Sequence, residues 1–211
     1  METKTGYDKE FYKAYEKYLK EPFVRQQHDF AFSVFRPIQE SIGAPSIIDL
    51  GCGKSQEYLN YHKTKGFWYT GIDQNVGNSN RVWGKVLKKG DYRDKAFLRK
   101  VINDGHNLFI SLFSSELGAS YEENYGFYNW LFRSFPSLKA GMVSGLYHAN
   151  RKDENPMIAN GNKVYQTTEA IEEPQRIGYT ENRIILQVPS KFFGPHEVEV
   201  WKIFQRNQPN T

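Results

Sequence analysis

Cysteine is nearly absent from this chain: 211 residues contain one, Cys52. A lone thiol closes no internal disulfide and builds no cysteine-based zinc site. The five histidines are scattered, with no H-x-x-x-H spacing, so no structural metal is expected. No run of ~18 apolar residues is present to cross a bilayer, and the opening METKTGYDKE has none of the marks of a secretory signal. A soluble, cytoplasmic protein without a membrane partner is the expectation. Internal repeats, low-complexity tracts and long blocks of one charge are missing as well.

Against these absences stands ordinary globular usage, with 25% charged and 39% hydrophobic residues, so the chain can bury a core and disorder over most of it is excluded. Its length suits one domain. The aromatic share, 16%, is high. A net charge of +4 is mild, and the cations are mostly dispersed among acids; they are densest from Arg81 to Lys100, in Lys85, Lys88, Lys89, Arg93, Lys95, Arg99 and Lys100. Such a run permits nucleic acid without indicating it, because charge runs are mostly solvated faces.

Between Tyr7 and Ile42 apolar residues recur at helical spacing: Phe11, Tyr15, Tyr18 and Leu19, then Val24, Ala31, Phe32, Phe35, Ile38 and Ile42, with His28 on the same stripe. Two helices are predicted, broken at Pro22, with Pro37 kinking or ending the second. These helices, residues 1–44, are expected to cap a domain spanning 45–206, with 207–211 as a tail. From Ser46 onward short apolar runs alternate with amphipathic stretches. The runs predict strands at 47–50, 67–72, 107–113 and 141–147, and the stretches predict helices around 56–64, 78–89, 94–103 and 122–135, with a weaker strand near 86–87. That alternation marks βαβ units and a parallel sheet. Two last strands, 182–188 and 197–205, are joined by so short a link that an antiparallel hairpin is favoured. The predicted fold is therefore α/β, doubly wound and mostly parallel, ending in an antiparallel β-hairpin. Residues 149–163 read as a polar loop insertion.

Ser46-Ile47-Ile48-Asp49-Leu50-Gly51-Cys52-Gly53 places a carboxylate at the carboxyl end of a buried strand, with two glycines directly after it. Ligands of open α/β sheets bind there, and glycines permit the tight turn and close approach of backbone to ligand. A Walker A loop is excluded, since Gly53-Lys54-Ser55 supplies its end but its first glycine would fall at Ile48. A dinucleotide fingerprint is disfavoured, because Gln56 stands where close helix packing requires glycine or alanine. A plain turn, or an aspartate that merely caps the next helix, is the bland alternative.

Two further acids follow in order, in Gly71-Ile72-Asp73 and in Gly90-Asp91-Tyr92. With Asp49-Leu50-Gly51-Cys52-Gly53 this series resembles the class I S-adenosylmethionine-dependent methyltransferases, over roughly residues 45–205. The resemblance implies a seven-stranded sheet and S-adenosylmethionine as cofactor. It further implies that Asp49, Gly51, Cys52 and Gly53 line the methionine end, Asp73 and the adjoining Gln74 the ribose, and Asp91 the adenine amine. Tyr92 or Phe113 would pack on adenine. The backbone amides of the 51–53 turn are expected to take the methionyl carboxylate, with Arg25 as a second partner if its helix closes over the site. Carboxylates suit this cofactor, whose amine and ribose hydroxyls want acceptors where a pyrophosphate would want donors.

The acceptor is less legible. Leu108 to Phe113 runs into Ser114-Ser115-Glu116, where this fold presents residues to the transferred methyl, and no Asn-Pro-Pro-Tyr or Asp-Pro-Pro-Tyr stands there. That departure counts against methylation of base or amide nitrogens in the manner of the enzymes that carry the tetrapeptide. Glu116 is the candidate base, its alternative being a carboxylate near a helix N-terminus. A small molecule or a protein side chain is the favoured acceptor. A non-catalytic cofactor-binding scaffold and an RNA or DNA methyltransferase are the other readings.

Overall fold

The computed structural model describes residues 17–18, 20–43, 46–53, 68–74, 81–82, 85–112, 121–148, 163–170, 178–187 and 197–206. Helix α1 (Pro22–Ser41) opens with proline in its first turn, where the missing N–H has no partner to lose. It buries Val24, His28, Ala31, Phe32, Phe35 and Ile38 along one stripe. Pro37 lies inside this helix and does not end it. Both Pro37 and Ser33, whose carbonyl forfeits its i+4 donor, are on the exposed side, where water can take that carbonyl. Past the C-cap, Gly43 adopts φ 87°, a left-handed conformation that stops the helix.

The strands are β1 (Ser46–Leu50), β2 (Trp68–Asp73), β3 (Arg81–Val82), β4 (Lys85–Lys89), β5 (Leu108–Leu112), β6 (Ala140–His148), β7 (Lys163–Ala170), β8 (Gly178–Gln187) and β9 (Glu197–Arg206). Helices α2 (Lys95–Val101) and α3 (Tyr121–Ser134) precede β5 and β6. All nine strands join one sheet in the order β3-β4-β2-β1-β5-β6-β9-β8-β7. Its centre, β4-β2-β1-β5-β6, is parallel throughout. The C-terminal pair β8–β9 is antiparallel as expected, and β9 inserts beside β6.

Two departures from the sequence-based expectation concern the edges. Nine strands stand where seven were implied, the additions being β3 and β7. The stretch 78–89, expected to be a helix, holds β3 and β4 in its described part, paired antiparallel at Arg81 with Val86 and at Val82 with Lys85. Alternating Lys and Val with Leu is as compatible with a strand as with a helix, and pairing of β4 with β2 decides between them. The expected helix at 56–64, most of the 149–163 insertion and the tail fall outside the described residues.

Alternate residues of each strand serve opposite faces. On one, Ile47, Tyr69, Ile110, Met142 and Trp201 pack with Phe32 and Phe35 of α1. On the other, Ile48, Ile72, Phe109, Val143 and Phe204 pack with Leu98 of α2 and Tyr128, Leu131 and Phe132 of α3. Helices on both faces make the sheet doubly wound. Gly141 is required by this packing, because a Cβ there would lie 2.1 Å from the Phe109 ring.

His106 staples the turn before β5 to β2. Its Nδ1 accepts the Asn103 N–H at 3.2 Å, which leaves Nε2, 3.1 Å from Thr70 Oγ1, as the protonated nitrogen. Burial holds its pKa below the ordinary 6.5. In an unfolded chain the ring takes up its proton near that value; in the fold it does so only at lower pH. This contribution to stability is complete above about 6.5 and is lost as pH falls toward the folded-state value. The urea midpoint should therefore drop between pH 7.5 and 5.5, and drop less in His106→Asn; equal slopes for both proteins would remove His106 from the acid response.

Candidate functional site

The strand order reverses between β1 and β5, both of which lead outward from the centre, and the crevice beyond their carboxyl ends is where such sheets take ligands. There Gly51 (φ 77°) and Gly53 (φ 58°) adopt left-handed conformations, which fold the chain back across the end of β2. The amides of Gly51 and Cys52 both donate to the Ile72 carbonyl, at 2.8 and 3.0 Å. The Gly53 amide donates to Asp73 Oδ2 at 3.0 Å. Gly71 is the floor of this turn: a Cβ there would stand 2.8 Å from Cys52 Sγ and 2.9 Å from Leu87.

The turn amides, assigned to a methionyl carboxylate, are already committed within the protein, two to a carbonyl and one to Asp73. Asp73 consequently ties two segments together, since its own carbonyl also accepts the Gly90 amide at 3.1 Å.

Asp49 is buried, and Tyr69 Oη donates to its Oδ2 at 2.5 Å. Burial, with the Asp49 charge beside it, pushes the Tyr69 phenol far up, so the hydroxyl stays a donor. Burial and the Asp49 and Asp73 charges likewise push the Cys52 thiol up, which leaves it protonated and inert. Tyr69 is a site residue that sequence reasoning missed. It reaches Asp49 only because Tyr69 pairs with Ile47 in the parallel register. Ser111 is another: its Oγ donates to the Leu50 carbonyl at 2.8 Å, just past the last β1–β5 register pair, Asp49 with Ile110.

Asp91 is exposed, and its Oδ1 accepts the Arg93 amide at 2.8 Å. Tyr92 is half-buried; burial raises its pKa, Arg93 opposes this, and the Asp91 and Asp73 charges add to the rise, so these groups share one neighbourhood. Gln74 is exposed directly after β2. Asp49, Cys52, Gly53, Asp73, Asp91 and Tyr92 are thus gathered about the ends of β1, β2 and β4. Arg25 lies on the exposed side of α1. Phe113 and Glu116 lie outside the described residues.

A second polar cluster lies on the α1 face, toward the same carboxyl edge. Glu199 of β9 pairs with Leu146, four residues beyond Met142. Its side chain is wholly buried, and it receives Tyr18 Oη at 2.6 Å and the Trp201 indole N–H. His28 Nε2 stands 2.9 Å from Oε1 and 3.0 Å from Oε2. His28 is therefore a satisfied core histidine, as its place on the apolar stripe implied.

Five parallel strands reversing at β1, a glycine turn folded onto β2, acids at three successive strand ends and a closing antiparallel hairpin are now together. The fold is that of the class I methyltransferases. No protein-family model matches the sequence, and no curated protein matches it either. Among solved structures, the chain is similar to a candidate S-adenosylmethionine-dependent methyltransferase from Listeria monocytogenes, at 10% identity and TM-score 0.49, covering 84% of this chain and 98% of that one. It is similar to the methyltransferase domain of bacterial CtHen1 at 17% identity and TM-score 0.43, covering 86% and 98%. It is also similar to the plantazolicin methyltransferase BpumL, solved in complex with a triazolic desmethylPZN analog and SAH, at 14% identity and TM-score 0.46, covering 95% and 92%.

Proposed function

We propose that the chain is a methyltransferase that uses S-adenosylmethionine. The observation that carries this reading is the set of three carboxylates, Asp49, Asp73 and Asp91, at the ends of β1, β2 and β4 around a turn whose own amides are engaged. A pyrophosphate cofactor needs free donors at that turn, whereas an amine, two ribose hydroxyls and an adenine amine need acceptors. Bound there, S-adenosylmethionine supplies a methyl group on a positively charged sulfur.

The chain's own residues then have binding and orienting work. Asp73, held by the Gly53 amide, presents its carboxylate to the ribose hydroxyls. Tyr69 fixes the Asp49 carboxylate in place, so that it meets the amine end without reorganising. Tyr92 offers a half-buried ring beside Asp91 for the adenine. Because the leaving sulfur is already a good leaving group, alignment of the acceptor can supply most of the rate, and Glu116 is the carboxylate offered as base where the acceptor must lose a proton.

Calorimetric titration with S-adenosylmethionine and with S-adenosylhomocysteine tests the reading. Micromolar binding of both is expected, and Asp73→Ala should weaken it by about 10- to 100-fold, the equivalent of ~1.5–3 kcal/mol for charge-assisted hydrogen bonds. Absence of binding to the folded protein would overturn the cofactor assignment. An unchanged affinity in a folded Asp73→Ala would remove that residue alone.

A further inference from the structure

Residues 88–100 carry six cations, Lys88, Lys89, Arg93, Lys95, Arg99 and Lys100, against Asp91 and Asp94. That excess of four equals the net charge of the whole chain, +4, so the remaining residues sum to neutrality. Each acid has one oxygen engaged by backbone amides. Asp91 Oδ1 accepts the Arg93 amide, and Asp94 Oδ1 caps α2 by accepting the amides of Ala96 and Phe97 at 2.8 and 3.1 Å. All six cations are exposed. No carboxylate of the described residues stands within ion-pair distance of Lys88, Lys89, Lys95, Arg99 or Lys100.

Aromatic rings lie among these charges. Lys95 Nζ and Arg99 Cζ, one turn apart on α2, stand 5.3 and 5.5 Å from the centre of the Trp130 ring on α3. Phe127 stacks on that ring at 6.0 Å, and the Arg93 guanidinium stands 6.0 Å from the Tyr92 ring. Trp130 and Phe127 are partly exposed. The strip begins at Lys88, which shares with its register partner Ile72 the sheet face that α2 and α3 cover, Lys89 turning to the other face, and it passes Asp91 and Tyr92 of the site described above. Unpaired cations track a chain of phosphates, and rings with guanidinium planes beside them receive unstacked bases.

We propose that this face binds single-stranded nucleic acid. The binding stands on the surface alone; that the strand is also the methyl acceptor rests on the methyltransferase reading.

Fluorescence anisotropy with a fluorescein-labelled oligouridylate of about 20 nucleotides, between about 50 and 200 mM NaCl, tests it. The protein should bind, with affinity falling steeply as salt rises. The triple variant Lys88→Gln, Lys95→Gln, Arg99→Gln should bind at least 10-fold more weakly at about 100 mM, with a log–log salt slope shallower by about 2, since each single-strand phosphate contact contributes ~0.7. Its thermal midpoint and its S-adenosylmethionine titration should match those of the parent, which separates this outcome from failure of the cofactor site. No binding by the parent at low salt, or a folded triple variant within twofold of it, overturns the proposal. So does equal affinity for polyglutamate or for phosphatidylserine vesicles, which would make the face a general polyanion surface.

Discussion

Replacing His28 with alanine is expected to lower the unfolding free energy by about 2 to 4 kcal/mol, the cost of leaving a buried carboxyl without a hydrogen-bond partner together with the lost packing. The reason lies in Glu199, wholly buried on β9, whose two oxygens are covered by His28, Tyr18 and Trp201. The cavity left by the imidazole adds to the penalty, and a water entering it beside Glu199 recovers part of the loss. Glu199→Gln keeps the volume while removing the charge, so the combined variant should lose clearly less than the sum of the two singles. Urea denaturation of the four proteins measures this coupling. A His28→Ala cost below about 1 kcal/mol would mean that Tyr18 and Trp201 satisfy Glu199 unaided.

Gly51→Val should abolish measurable S-adenosylmethionine binding while the protein still folds. At φ 77° a β-branched side chain clashes with its own backbone, at a cost of about 1 to 3 kcal/mol. The turn would relieve that strain by swinging out of the left-handed region. The Gly51 and Cys52 amides would then leave the Ile72 carbonyl, and the Gly53 amide would leave Asp73. One substitution would thus displace the turn beside the cofactor's methionine end and free Asp73, assigned to its ribose, from the amide that holds it. Asparagine tolerates this conformation better, so Gly51→Asn should retain weakened binding. Equal loss in both variants would point to the side chain's presence, not to the backbone angle.

The elements that were legible in advance carry local signals. Strand β1 was expected at 47–50 and spans Ser46–Leu50; α3 was expected at 122–135 and spans Tyr121–Ser134. Apolar period and turn chemistry suffice for both. The closing hairpin was legible from the shortness of its link. The strand β4 was expected only as a weak strand near 86–87 because of its lysines, and β7, Lys163–Ala170, has no apolar run to announce it because an edge strand is held by one neighbour's backbone. Asp49, Gly51, Gly53, Asp73 and Asp91 could be singled out from spacing, since each lies at or within three residues of the carboxyl end of a strand.

Their partners could not. Tyr69 meets Asp49 across a strand register, and Ile72 offers its carbonyl to amides 20 or so residues earlier in the chain. Glu199 finds Tyr18 from 181 positions away. Fold class, the glycine turn and the order of its acids are legible in the amino-acid order, because periodicity and local backbone preference are written within a few residues. Only the folded chain shows which amides of the turn are engaged and what holds Asp49 and Glu199. These depend on register and on contacts between distant segments, which no local pattern encodes.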